Sequence, residues 1–251
     1  MSGISKKLIQ AAAGGAGSAE ALAIEDVFST YLYTGTGSTQ TITNGIDLSG
    51  EGGLVWIKNR TNVSSHALFD TERGAEKLLF TDNSGAEQDR TLDNDSLDPF
   101  NSDGFGLQAS AGNRTNQSGS DFVSWTFRKA PRFFDVVTYT GDGVAGRTIA
   151  HNLGVAPGCI MVKRTDSTGD WIVYHRSNTA NPETDYLELN DTAATADDNT
   201  MWNDTAPTDS VFTVGTDNDV NASAATYVAY LFAHDPLGPS GDGSDGLIAC
   251  G

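Results

Sequence analysis

Any fold for this chain has to accommodate an internal duplication. Phe122-Val123-Ser124-Trp125-Thr126-Phe127 returns 105 positions later as Tyr227-Val228-Ala229-Tyr230-Leu231-Phe232. Gly53-Leu54-Val55-Trp56-Ile57-Lys58 returns at the same offset as Gly158-Cys159-Ile160-Met161-Val162-Lys163. Tyr33-Thr34-Gly35-Thr36-Gly37 comes back as Tyr139-Thr140-Gly141-Asp142-Gly143 at offset 106, and Thr41-Ile42 and Phe105 come back at 107. Offsets that drift by one or two residues place small insertions in the loops between matched strands. Repetition of one unit points to an array rather than to an enzyme.

The matched segments are strand-like. Val123, Trp125 and Phe127 alternate with Ser124, Thr126 and Arg128, the period-two pattern of a half-buried strand. First-repeat strands are expected at Phe28–Tyr33, Gln40–Ile42, Leu54–Lys58, Ala67–Asp70, Lys77–Thr81, Gly104–Gln108 and Asp121–Arg128. In the second they are expected at Asp135–Tyr139, Arg147–Ile149, Cys159–Arg164, Trp171–His175, Tyr186–Leu189, Val211–Val214 and Thr226–Ala233. Roughly seven strands in ~100 residues fit an antiparallel sandwich. The expected class is all-β: two tandem antiparallel β-sandwich or jelly-roll repeats after a short N-terminal arm with a brief helix. Folding both repeats into one larger sandwich is the rival architecture. The boundaries read 1–26 for the arm, 27–130 and 131–235 for the repeats, and 236–251 for a Gly/Pro/Ser linker leading to a further module. Lys129-Ala130-Pro131-Arg132 reads as a compact hinge, and Ser18 as the cap of a helix over residues 19–26.

Composition narrows the chemistry. Against 33 acids stand 15 bases, a net charge of −18, which repels phosphate backbones and argues against nucleic-acid binding. The two cysteines make neither a disulfide framework nor a zinc spacing, and nothing approaches the ~20 apolar residues of a membrane helix. The four histidines share no metal spacing. Asp93-Asn94-Asp95, Asp197-Asp198-Asn199 and Asp217-Asn218-Asp219 carry hard oxygens suited to calcium but lack an EF-hand pattern, and solvated turns are the commoner use. The Gly35/Gly37 and Gly141/Gly143 pairs read as hairpin turns. No nucleophile elbow or paired-carboxylate context stands out, so no enzyme and no cofactor are expected. Trp171, Tyr174, His175 and Trp202 are the candidates for stacking on a sugar. Leu8, Ile9, Leu22, Ile24 and Phe28 are the apolar side chains with which the arm would anchor.

Several phrases resemble one family. They include Gly53-Leu54-Val55-Trp56-Ile57-Lys58-Asn59-Arg60, Phe69-Asp70-Thr71-Glu72-Arg73-Gly74, Phe100-Asn101-Ser102-Asp103-Gly104-Phe105, Val123-Ser124-Trp125-Thr126-Phe127-Arg128-Lys129-Ala130 and Asp170-Trp171-Ile172-Val173-Tyr174-His175-Arg176. They are similar to the repeated modules of tail-fibre-like virion proteins from phages of marine bacteria, cyanophages especially. The resemblance covers nearly the whole chain and implies concanavalin-like sandwiches in a virion structural protein of the phage tail. On that reading the arm docks to a tail or other virion component and the sandwiches act as spacers or host-adhesion modules. A homo-oligomer is expected, with a trimer favoured, and host surface glycans as partners. A carbohydrate-binding module proper and a capsid decoration protein are the alternatives.

Overall fold

A computed structural model describes residues 22–91, 96–109 and 112–251. The first unit contains β1 (Phe28–Thr34), β2 (Gln40–Thr43), β3 (Gly53–Asn59), β4 (Ala67–Asp70), β5 (Gly74–Phe80), β6 (Gln88–Asp89), β7 (Leu97–Asn101), β8 (Gly104–Leu107) and β9 (Asp121–Arg128). The second contains β10 (Phe134–Thr140), β11 (Arg147–Ala150), β12 (Pro157–Arg164), β13 (Trp171–His175), β14 (Asp185–Glu188), β15 (Ala196–Asp197), β16 (Val211–Val214) and β17 (Thr226–Ala233). Each unit builds a six-stranded antiparallel sheet of the same order, β1-β9-β3-β4-β5-β6 and β10-β17-β12-β13-β14-β15. A small sheet, β2-β8-β7 or β11-β16, faces it. The all-β class and the antiparallel sandwich are therefore as the alternation implies.

The long apolar runs of β3 and β12 follow from burial on two faces. Val55, Ile57, Phe69 and Phe122 point into the first sandwich with Ile42, Phe105 and Leu107 of its small sheet. Ile160, Val162, Ile172, Tyr174 and Tyr227 do the same in the second. The alternate residues of both large sheets, among them Leu54, Leu68, Phe134, Met161, Val173 and Tyr230, form a third core shared by the two units. A strand covered on both sides reads as a continuous hydrophobic run rather than an alternating one. Phe127, half-buried against this shared core, lies 4.8 Å from Phe28, 5.6 Å from Phe134 and 5.3 Å from Phe232. Phe127 and Phe232 occupy equivalent positions of the repeat, so the large sheets meet about an approximate two-fold.

Lys129–Arg132 is a fixed turn rather than a hinge. Ala130 is buried in the shared core and exchanges hydrogen bonds with Phe134, 2.9 and 3.1 Å long. Arg132 adopts φ 63° while its guanidinium grips Asp235. Residues 236–246 turn back on themselves, and the backbone of Ile248 pairs with Asp235 while its side chain lies against the cores. Helix is confined to single turns: α1 (Ile24–Val27), α2 (Leu48–Glu51), α3 (Asn199–Trp202) and α4 (Asn218–Asn221). Of the expected arm helix only α1 lies in the described residues. Asp47, Asp198 and Asp217 cap the other three turns.

The repeated Tyr-Thr-Gly phrase is a crossover and not a hairpin, because β1 and β2 belong to different sheets. A buried asparagine pins it in each unit. Asn116 accepts from Thr36 N–H and donates to Ser38 and Gln108 carbonyls. Asn221, 105 positions on, accepts from Asp142 N–H and donates to Val144 and Gly215 carbonyls. A Cβ on Gly35 would stand 2.3 Å from the Gln117 carbonyl, and one on Gly141 2.1 Å from that of Ala222. Only glycine permits this approach.

A buried polar latch fixes the units against each other. Asp70 accepts from Arg73 Nε and from the Tyr230 hydroxyl, both at 2.6 Å, and Arg73 also reaches Glu87 at 3.1 Å. Asp70 and Tyr230 are fully buried. Burial alone would lower the Arg73 pKa, but Asp70, Tyr230 and Glu87 outweigh it and hold the guanidinium charged. Removing one member strands the others without water. Arg73→Ala is expected to cost about 3–5 kcal/mol and Tyr230→Phe about 1–2 kcal/mol in urea unfolding. Lys163 is a second buried cation, bonded to the Arg164 and Ser84 carbonyls at 2.8 and 3.4 Å. Burial pushes its pKa down to about 8 from the ordinary 10.5, against the opposing pull of Asp219 and Asp170. Between those values the unfolded chain holds the proton that the folded chain has released, so Lys163 makes stability rise with pH there. Subtracting the Lys163→Met profile from the native one should leave a positive slope of up to ~1.4 kcal/mol per pH unit in that window; a flat difference would refute it.

Candidate functional site

The residues singled out for sugar stacking do not form a platform. Trp171 and Tyr174 alternate along β13, so they leave the sheet on opposite faces. Trp171 is fully buried in the shared core, its indole donating to the Phe80 carbonyl at 2.8 Å. Tyr174 enters the second sandwich, where it meets Trp202 edge-on at 6.1 Å, and Trp202 is 2% exposed. His175 ends the strand half-buried, its Nδ1 accepting from Ser177 N–H. Packing over the sandwich, rather than ligand contact, is what these aromatics do.

The other sequence candidates sort in the same way. Leu22 and Phe28 pack against the shared core, Ile24 is 43% exposed, and Leu8 and Ile9 lie outside the described residues. Asp198 and Asp217 spend their carboxylates on helix caps at Thr200 and Asp219 N–H. Among the described residues no group of three His, Cys, Asp or Glu side chains converges on a point.

The aromatic surface is in the first unit. Across its large sheet one row runs Thr30–Trp125–Trp56–Leu68, and the next runs Leu32–Val123–Lys58. Directly opposed residues share a face, so both rows look toward the second unit. Trp125 belongs to none of the three apolar clusters, and Leu32 is 60% exposed. Trp125 meets Trp56 at 6.1 Å and 76°, and Trp56 meets His66 at 6.0 Å and 64°. Three half-buried rings thus stand edge to face in a strip, with two indoles making a corner.

Polar groups of defined protonation flank the strip. The Trp56 indole N–H donates to His66 Nδ1 at 3.1 Å, which leaves the imidazole proton on Nε2. Burial and the neighbouring Lys58 lower the His66 pKa despite an opposing pull from Asp82, so the ring is neutral at pH 7. Lys58 donates to the Ser64 carbonyl. Its ammonium has further donors, and the His66 Nε2–H adds another.

The equivalent face of the second unit is sealed. There the matching rows are Val136–Tyr230–Met161–Val173 and Thr138–Val228–Lys163–Trp171. All but Thr138 are buried. The segment after β5 lies over them: Phe80 binds Trp171, Ser84 binds Gly169 N–H at 3.0 Å, and Glu87 N–H binds the Thr165 carbonyl at 3.0 Å. The corresponding segment after β14 folds back on its own sheet instead. Leu189 N–H donates to the Trp171 carbonyl and Asn190 accepts from Trp171 N–H. The Trp125–Trp56–His66 strip is therefore left half-buried, with Trp56 packed on the edge of the shared core, where the matching rows of the second unit are buried. Trp56 and Trp125 stood in the duplicated phrases from the start; their exposure depends on which loop covers which sheet, and no local pattern carries that.

No curated protein matches the chain. The model of a domain of unknown function, DUF7483, matches residues 24–243, which takes in both sandwiches and the shared core, and the chain belongs to that family.

Proposed function

We propose that this protein is a non-enzymatic structural and adhesive component of a phage virion, of the tail-fibre type. Its N-terminal segment attaches to the particle, its paired sandwiches project as one rigid block, and the aromatic strip of the first unit takes up a sugar of the host surface. The observation that carries the adhesive part is the half-exposed Trp125–Trp56–His66 strip, set against the sealed face of the second unit. Indole faces stack on the C–H faces of pyranose rings, and the His66 Nε2–H and Lys58 ammonium supply donors to hydroxyls at the edge. A net charge of −18 repels acidic polysaccharides, so the ligand class is a neutral oligosaccharide. The particle assignment rests on the sequence resemblance to marine phage tail-fibre-like proteins. The shared core and the buried latch support the role of rigid projecting block.

Binding to an array of neutral and acidic bacterial oligosaccharides tests the adhesive part. Trp125→Ala, at a half-buried position outside the cores, is expected to weaken binding at least about tenfold while leaving the melting temperature unchanged. Trp202→Ala should instead cost about 3–5 kcal/mol of stability and leave affinity intact where the protein is folded. Binding unaffected by Trp125→Ala, or confined to acidic sugars, would overturn this site. For the attachment role, particles carrying protein without residues 1–21 should lose this component; full incorporation would refute it.

A further inference from the structure

The two large sheets have four edges, and three are blunted. β6 and β15 are two residues long and carry charge at Asp89 and Asp197. β10 is long, but Asp135 near its start is 2% exposed and accepts from Asn152 N–H at 2.8 Å, with Lys129 3.4 Å away. The turn at Ala130 bridges to Phe134 on the same strand. Short length, charge and covering loops are the usual means of keeping sheet edges from pairing with other chains.

β1 has none of these. Its seven residues, Phe-Ser-Thr-Tyr-Leu-Tyr-Thr, include no charge, proline or glycine, and all seven pair in unbroken register with β9. Thr30, Tyr31 and Leu32 are exposed in succession. Among the described residues no strand pairs with its other side. Ser29 stands where β10 has Asp135, so the group that fastens a loop over the second unit is missing from the first. Uncharged and uncovered among the described residues, this edge sits on a chain of net charge −18.

We propose that β1 is a self-association edge and that its partner is β1 of a second copy of this chain. Unpaired backbone donors and acceptors on a straight strand specify another strand, and an antiparallel pairing about Tyr31 is self-complementary under a two-fold axis. Thr30 of each copy then lies beside Leu32 of the other, and two six-stranded sheets become one of twelve. Between two chains each carrying −18, an uncharged contact such as β1 adds no local repulsion. The pairing closes at two copies, in place of the three that fibre-like proteins lead one to expect. An axis normal to the sheet keeps both open aromatic rows on one side, where two weak sugar contacts act together.

Sedimentation equilibrium on the full chain tests this independently of any ligand. The expected mass is twice the 26.4 kDa of one chain. Thr30→Lys with Leu32→Lys, both at exposed positions, sets like charges opposite each other across the axis and should weaken association by at least about 100-fold. The double variant should keep the native melting temperature extrapolated to low concentration. Hydrogen exchange should show the outward-facing β1 amides, those that do not bond to β9, protected at high concentration and exposed on dilution. A mass of one or three chains, or a dimer that survives both lysines with β1 amides freely exchanging, would overturn the proposal.

Discussion

Burial of both large sheets on two faces is the constraint on which this structure depends. Each six-stranded sheet has to satisfy a sandwich core on one side and the shared core on the other, so strands such as β3 and β12 are apolar at nearly every position. Leu54 and Val55, or Met161 and Val162, are neighbours in sequence that serve different cores. A unit separated from its partner would expose Leu54, Leu68, Phe127 or Met161, Val173, Tyr230 to water, at roughly 25 cal/mol for each Å² of apolar surface. The two sandwiches are therefore one thermodynamic object despite their separate inner cores.

Apolar contact alone leaves the sheets free to slide, because flat hydrophobic faces accept many registers. The Asp70–Arg73–Tyr230 latch removes that freedom. A carboxylate, a guanidinium and a phenol buried together are satisfied in one arrangement, and any slip strands a charge. The latch lies on the side where the first unit covers the second, and the open aromatic strip lies on the side without a counterpart. Two units of the same sheet order packed about an approximate axis thus end with different surfaces, one sealed and one half-exposed, and the difference resides in the loops that follow β5 and β14.

Much of the fold was legible. The duplication, the antiparallel class and most strand positions follow from period-two alternation and from matched phrases; Ala67–Asp70, Asp121–Arg128, Trp171–His175, Val211–Val214 and Thr226–Ala233 lie where the pattern puts them. The single-turn helices α2, α3 and α4 were not legible because four residues are too few for a 3.6-residue period to register. The role of the Tyr-Thr-Gly phrase was also hidden. Its partner, Asn116 or Asn221, sits about 80 residues away, and only the two asparagines' own 105-residue spacing hints at a shared task.

What the sequence determined by itself is the unit: its strands, its turn glycines, and the fact that there are two of them. These depend on local stereochemistry and on side-chain alternation, which neighbouring residues settle among themselves. Tertiary structure decided which aromatics are buried. Trp202 stands in a polar loop and Trp171 at the start of a strand, yet both disappear into cores, while Trp125 sits mid-strand and remains half-open. Exposure is fixed by what packs across a sheet from 50 or 100 residues away, and a strand's own pattern names the two faces without saying which of them another element will cover.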